Sequence, residues 1–385
     1  MRILVAHSFY RIPGGEDGYV QQQVDLLRQQ HDVELLGRSN TDLSPGLPTV
    51  QRMTFSRKLS QDIDSIVRDF RPDLIHLHNA YPSLGPAVHL AAAKNAIPLI
   101  MTVHNFRLRC PNGYMFTEGK PCRRCEGGAY NNAVVHRCFP SRSQALGYAT
   151  ALWTHRFVLR LDRKVSLYLT PSEFVRRRMM EWGFESSRAE VVRNFTAMEG
   201  DSVEPGGYGL YVGRMSSEKG IDVLLRALKD AGDPPFKIAG DGPVLEDLKQ
   251  LAKQLELEKT EFLGRLARPD VITVLQGSRF VALPSLWDEN APLAALEAMA
   301  LGRPLLVTAT GGLIELVENG EGLVCPVGDV AALAAAIREL STDDERCREL
   351  GHQALIRARR EFRPEVHLHR LEEAYARVLA APRTS

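Results

Sequence analysis

Residues Pro284 to Gly302 read PSLWDENAPLAALEAMALG and set Glu289 and Glu297 eight positions apart around the start of a helix. Asn290 reads as the N-cap and Pro292 as preorganised for the first turn, which leaves the amides of Ala291 to Leu293 available to an anion. Glu289 then sits in the entry loop, and Glu297 lies inside the helix, roughly 9 Å from its start at about 1.5 Å per residue. A ligand bearing both phosphates and hydroxyls fits that layout, as a sugar nucleotide does. Its phosphates would meet the helix end, with one carboxylate on the sugar and the other on the ribose. A Glu pair at this spacing also arises by chance on solvated helix faces, so the surrounding residues must decide.

Outward from this stretch, short apolar strands alternate with helix-length amphipathic segments, and the alternation occurs twice. In the first half Arg2 to His7, Val33 to Leu36, Leu74 to Leu77 and Pro98 to Val103 read as strands, with Tyr168 to Thr170 and Glu190 to Arg193 completing that sheet. Helices are expected near Gly18 to Gln30, Ser56 to Phe70 and Leu84 to Lys94. The second half opens at Leu210 to Val212 and continues through Phe236 to Ala239, Glu261 to Leu263, Phe280 to Leu283 and Leu305 to Val307. Between the halves, Ala197 to Gly207 (AMEGDSVEPGG) is poor in apolar residues and reads as a linker. The expected organisation is α/β with two Rossmann-like domains, residues 1–196 and 208–363. The terminal helix, residues 364–381, is expected to return to the first domain.

At 385 residues, 44% hydrophobic and 25% charged, the chain has the composition of a globular enzyme. The net charge of +1 gives no global reason to expect nucleic acid. No apolar run is long enough to span a bilayer, and the N-terminal run is too short for a secretory signal. A cytoplasmic location is the resulting expectation.

In open α/β sheets, ligands bind beyond the carboxyl ends of strands, and the unusual residues gather at those expected ends. After Leu210 to Val212 comes GRMSSEKG, with Gly213, Arg214 and Lys219 ahead of a helix from Ile221. Two cations there suit a diphosphate and the charge that builds on it as a glycosidic bond breaks. A solvated basic turn is the plain alternative. Gly240 and Gly242, in GDGP, permit close backbone approach to a ligand or simply make a turn. Arg265 closes Phe262-Leu263-Gly264-Arg265, whose backbone offers a surface for a nucleobase. Pro13-Gly14-Gly15-Glu16 follows the first strand and reads equally as a phosphate-approaching loop or a plain turn. His104 ends the strand Pro98 to Val103, where a histidine can orient a sugar, although a lone histidine is more often structural.

Taken together, these motifs resemble the retaining nucleotide-sugar glycosyltransferases of the GT-B fold that carry Glu-x7-Glu, the group 1 or family 4 type. The similarity covers essentially the whole chain and implies two Rossmann-like domains facing each other across a cleft. It implies that Arg214 and Lys219 bind the donor diphosphate, that Glu297 holds the ribose and that Glu289 contacts the donor sugar. His104 would line the donor-sugar pocket, and the Gly14-Gly15 loop would close over the phosphates. The implied reaction moves a sugar from a nucleoside diphosphate to an acceptor hydroxyl with retention and without a metal cofactor. The acceptor would be a saccharide, a lipid-linked sugar or a small molecule, in polysaccharide, glycolipid or natural-product biosynthesis. A catalytically silent sugar-nucleotide-binding subunit, or a hydrolase or epimerase on the same frame, are the competing readings.

The segment 105–142 lies outside that core chemistry. Its cysteines, Cys110, Cys122, Cys125 and Cys138, have a spacing that structural zinc accepts, with free thiols, a redox disulfide or an iron-sulfur cluster as alternatives. The same segment carries seven cations (Arg107, Arg109, Lys120, Arg123, Arg124, Arg137, Arg142) against two acids (Glu118, Glu126). With the basic stretch Trp153 to Lys164, it is a candidate surface for an anionic acceptor or for peripheral attachment to the inner face of the plasma membrane.

Overall fold

The computed structural model describes residues 1–12, 14–43 and 47–381. Pro13, part of the expected glycine loop, lies outside them. Contacts divide the chain into two units: residues 1–117, 122–192 and 368–385 form the first, and residues 118–121 and 193–367 the second.

The first unit is built on a six-stranded sheet of β1 (Arg2–Phe9), β2 (Asp32–Ser39), β3 (Leu74–Asn79), β4 (Leu99–Thr102), β7 (Leu167–Thr170) and β8 (Ala189–Val191). Short strands β5 (Phe116–Thr117) and β6 (Lys120–Pro121) lie outside this sheet. Its order is β2-β1-β3-β4-β7-β8, parallel throughout. A parallel sheet is covered on both faces, which is why every residue of β3 and β7 is buried, the polar His76, His78 and Asn79 of β3 included. The covering helix Arg57–Phe70 shows how the sequence specifies such an element. Ser56 Oγ caps Leu59 N, and Leu59, Ile63 and Val67 recur every fourth residue on the buried face.

The second unit repeats the plan with β9 (Tyr208–Val212), β10 (Phe236–Ala239), β11 (Thr260–Gly264), β12 (Ser278–Leu283), β13 (Leu305–Thr308) and β14 (Gly322–Cys325). The order β11-β10-β9-β12-β13-β14 is the doubly wound arrangement in which strand order reverses between β9 and β12. Neighbouring residues on a strand serve opposite cores. Tyr211, Ile238, Phe280 and Leu306 pack into one layer, and Leu210, Val281, Leu305 and Val307 into the other. The strand β14 and the helices Arg142–Trp153, Leu245–Gln254 and Arg268–Gln276 have no counterpart in the sequence reading.

The last helix, Pro364–Ala380, gives its residues from Leu368 onward to the first unit. There the Tyr375 hydroxyl lies 2.6 Å from His76 Nδ1, whose Nε2 is 2.8 Å from Thr102 Oγ1, and all three residues are buried. Glu372 meets His31 at 2.8 Å and Arg377 meets Glu190 at 2.9 Å. Tyr375→Phe keeps the volume and removes the hydroxyl from a buried imidazole. Urea unfolding should show a loss of about 1–3 kcal/mol, whereas an unchanged midpoint would mean that apolar packing alone holds this helix.

Candidate functional site

In the second unit the conspicuous residues cluster where the strand order reverses, on the loops after β9 and β12. The β9 loop carries Arg214 and, in a turn at Ser217–Lys219, Glu218 and Lys219. Gly220 then enters the helix Ile221–Asp230 at φ +67°, and a Cβ there would stand 2.1 Å from the carbonyl oxygen of Pro284. Only glycine lets these two loops meet. The Leu286 amide donates to the Glu218 carbonyl at 2.8 Å, joining them through the backbone as well.

This join brings together Lys219 and Glu289, whose Nζ and Oε1 are 2.6 Å apart. Glu289 is 5% exposed, and the same oxygen accepts a 2.6 Å bond from Ser285 Oγ. Burial pushes its carboxyl up, but Lys219, Ser285 and Trp287 more than offset this and hold it below its ordinary value. Glu297 behaves in the opposite way. Burial raises its pKa and Arg268, 2.6 Å away, offsets only part of the shift. Arg214 pairs with Glu218, which also accepts from Ser216 Oγ at 2.7 Å. Arg214 is therefore aimed by a buried carboxylate while its guanidinium stays about half exposed.

The helix start differs from the sequence reading. The helix runs Leu293–Ala300, with Pro292 at the N-cap in extended conformation and no side-chain cap. Asn290 is not the N-cap: it is buried two residues earlier, and Ala291, also ahead of the helix, accepts from Asn194 Nδ2 at 3.1 Å through its carbonyl. That tether, with the Gly312 amide on the Glu289 carbonyl, keeps the chain out of helical geometry until Leu293.

Packing accounts for two of the expected glycines. A Cβ at Gly240, where φ is +143°, would lie 1.9 Å from the Gly213 carbonyl oxygen, and one at Gly242 would lie 2.2 Å from that of Met215. Both seat the β10 loop against the β9 loop. Arg265 follows β11, two strands from β9, and is exposed.

In the first unit, strand order reverses between β1 and β3. Gly14 caps the helix Gly15–Leu27, and a Cβ on it would meet nothing within 4 Å, so no protein neighbour demands glycine there. The loop is held by Asp17, which accepts from the amides of Gly14 (3.1 Å) and Tyr10 (3.2 Å) and lies 2.9 Å from His7 Nε2. His104, just beyond β4, has its Nε2 2.9 Å from His78 Nδ1, with the rings stacked at 5.2 Å and Tyr19 edge-on. Glu218, Ser285, Arg268 and Asp17 were given no role by sequence reasoning. Each holds a site residue, and only the i, i+4 spacings of Arg214–Glu218 and Ser285–Glu289 left a trace in the sequence.

The four cysteines Cys110, Cys122, Cys125 and Cys138 all line one cavity of about 20 Å³ in the first unit. All are free thiols, and among the described residues no three His, Cys, Asp or Glu are grouped to hold a metal ion. The geometry thus gives structural zinc no support. Among the described residues no helix is long and apolar enough to cross a membrane.

The family described as "Glycosyl transferases group 1" matches residues 200–357, and "Glycosyl transferase 4-like domain" matches residues 14–194. An uncharacterized glycosyltransferase of Methanocaldococcus jannaschii is 28% identical over 72% of this chain and 68% of its own length. Glycogen synthase of Mycobacterium tuberculosis is 29% identical over 72% of this chain, which spans 62% of that protein. Among solved structures, sucrose-phosphate synthase from Thermosynechococcus elongatus superposes with a TM-score of 0.74 at 18% identity, covering 99% of this chain and 100% of that one. Anabaena HepE, solved with UDP and glucose, gives 0.71 at 19% identity over 98% and 99%. These two structures bear on the fold alone.

The buried pair sets a stability test. The lowered carboxyl pKa of Glu289 means that its contribution is present above the ordinary carboxylate value and is lost as pH falls through the lowered one. Lys219→Met leaves that carboxylate buried without its cation, so stability near neutrality should fall by about 3–5 kcal/mol. The deficit should shrink in acid as Glu289 takes up a proton, and a pH-independent deficit would rule out this origin.

Proposed function

The chain belongs to the group 1 glycosyl transferases and has the GT-B fold, and on that premise we propose that it is a retaining enzyme moving a sugar from a nucleoside diphosphate to an acceptor hydroxyl. The setting proposed is polysaccharide, glycolipid or glycosylated natural-product synthesis. The observation that carries this reading is the Lys219–Glu289 pair at the β9–β12 reversal, with Arg214 and Glu297 on the same two loops and helix.

On this reading Arg214 and Lys219 receive the donor diphosphate, Glu289 contacts the donor sugar and Glu297 the ribose. Gly213 and the turn into Leu293 provide the adjacent backbone. His104 lines the sugar pocket, and the Gly14-Gly15 loop approaches the phosphates. The acceptor oxygen forms its bond to the anomeric carbon as the bond to the leaving phosphate breaks on the same face. The hydroxyl proton passes to that phosphate, which leaves as the nucleoside diphosphate. Negative charge grows on the leaving group, and the two cations stabilise it there. Glu289, tied to Lys219 and Ser285, is poised to bind a hydroxyl and is not offered as a nucleophile.

Thermal denaturation with a panel of UDP-, GDP-, ADP- and TDP-sugars tests the donor site, with UDP-sugars first because HepE was solved with UDP. One class of nucleotide should raise the midpoint, and Glu297→Ala should lose that rise. Arg214→Ala and Lys219→Ala should each lower kcat by about 100- to 1000-fold, roughly 2.7–4 kcal/mol. Transfer should survive excess EDTA. Sugar release that is independent of any acceptor would instead identify a hydrolase, and binding without turnover a silent subunit.

A further inference from the structure

The first unit holds a cavity of about 60 Å³ beside His104, lined also by His78, Arg107, Arg109, His155 and Asp162. Its two arginines are unusual within this protein. Arg109 is 5% exposed, and its Nη1 donates to the neighbouring Leu108 carbonyl at 2.9 Å. Arg107, half-buried, donates Nη2 to the Asn112 carbonyl at a long 3.4 Å. The buried Nε of each has no hydrogen-bond partner, and the carboxylates that influence them, Asp162 for Arg109 and Glu16 for Arg107, act as nearby charges and form no ion pair with either guanidinium among the described residues. Both lie over aromatic rings, Arg107 near Tyr81 (5.6 Å) and Tyr148 (5.3 Å), and Arg109 at 4.6 Å from Phe184. Aromatic faces attract a cation but accept little from its five N–H donors.

Two other buried arginines show fuller compensation from the protein itself. Arg303 donates to four carbonyls, those of Leu301, Glu204, Ser278 and Ser202. Arg357 meets Glu318, Glu321 and Glu361. Arginine cannot shed its charge to escape burial, so an uncompensated guanidinium is costly unless an anion arrives. Two such groups on one cavity wall offer paired forks suited to phosphate oxygens. Burial drives His89 down to about 3 and His155 to about 4, so neither adds positive charge to this wall near neutrality.

We propose that Arg107 and Arg109 form an anion site for a phosphate or diphosphate group of the acceptor, which makes the acceptor a phosphorylated one. The site rests on the transferase reading, because His104 on the same wall is the residue assigned there to the sugar pocket. A diphosphate headgroup on a lipid and a soluble sugar phosphate present the same chemistry to these forks.

The test is isothermal titration of inorganic pyrophosphate into the full chain already saturated with the nucleotide that gives the largest thermal shift. A second binding event should remain, and Arg107→Gln/Arg109→Gln should weaken it at least about tenfold, as expected for two lost charge-assisted contacts, while the nucleotide shift is kept. Hydrogen exchange on the unmutated protein supplies a readout independent of variant folding: pyrophosphate should protect the amides of residues 105–113. Binding that vanishes when nucleotide is present, that is unaffected by both substitutions, or that leaves this segment unprotected overturns the proposal. A failed donor reading shows itself separately, as no shift with any nucleotide, and pyrophosphate is then titrated alone. Farnesyl diphosphate and glucose 1-phosphate as competitors distinguish a lipid-borne from a soluble source.

Discussion

One buried carboxylate organises the second unit's loops. Glu289 takes Lys219 from the β9 loop and Ser285 from its own loop on a single oxygen, while its main-chain carbonyl takes the Gly312 amide from the turn after β13. Gly311 makes that last approach feasible, since at φ +57° a Cβ would fall 2.2 Å from the same carbonyl oxygen. Three connections that are far apart in sequence thus converge on one residue, and the parallel sheet fixes where they begin by placing all its carboxyl ends on one edge. Removing the carboxylate would free a cation, a hydroxyl and two loop conformations together.

The two glutamates of the motif are chemically distinct although the sequence writes them alike. Lys219 lies 2.6 Å from Glu289 and is itself largely buried, so the pair is shielded from solvent and the carboxylate form prevails. Arg268 pairs with Glu297 from an exposed position, where water and salt weaken the attraction, so burial dominates and the proton is held more tightly. Two carboxyl groups whose environments push their pKa values apart can take different hydrogen-bonding roles at the same pH.

The architecture was legible because parallel strands buried on both faces appear as uninterrupted apolar runs, as in Ile3 to Ala6 and Leu305 to Val307. What escaped was built from weaker signals. The helix Arg142–Trp153 buries Ala145, Ala149 and Leu152 at helical spacing, but two of these are alanines and carry little hydrophobic contrast. The strand β14 is four residues long at a sheet edge, with Val324 exposed. At the site, the motif residues could be named from the sequence, whereas their partners could not. Arg268 lies 29 positions before Glu297, Lys219 lies 70 before Glu289, and only the folded sheet makes them neighbours. The misplaced N-cap has the same origin, because the Asn194 side chain that holds the Ala291 carbonyl lies 97 residues away.

The distribution of compensated charge separates the two units. In the second, Arg214, Lys219 and Arg268 each already hold a carboxylate, so on the proposed reading a donor diphosphate would exchange with Glu218 and Glu289 for Arg214 and Lys219. Exchange lowers the affinity for any simple anion, since part of each new interaction replaces one that existed before. It favours a ligand that also satisfies the displaced carboxylates, as sugar and ribose hydroxyls would. On the proposed reading, discrimination would come from the whole nucleotide sugar more than from its charge. In the first unit Arg107 and Arg109 have no carboxylate to give up, so an anion there gains without exchange and needs little else to be recognised. The physical expectation is a demanding donor site and a more permissive anion site, consistent with one partner being read in full and the other held mainly by its phosphate.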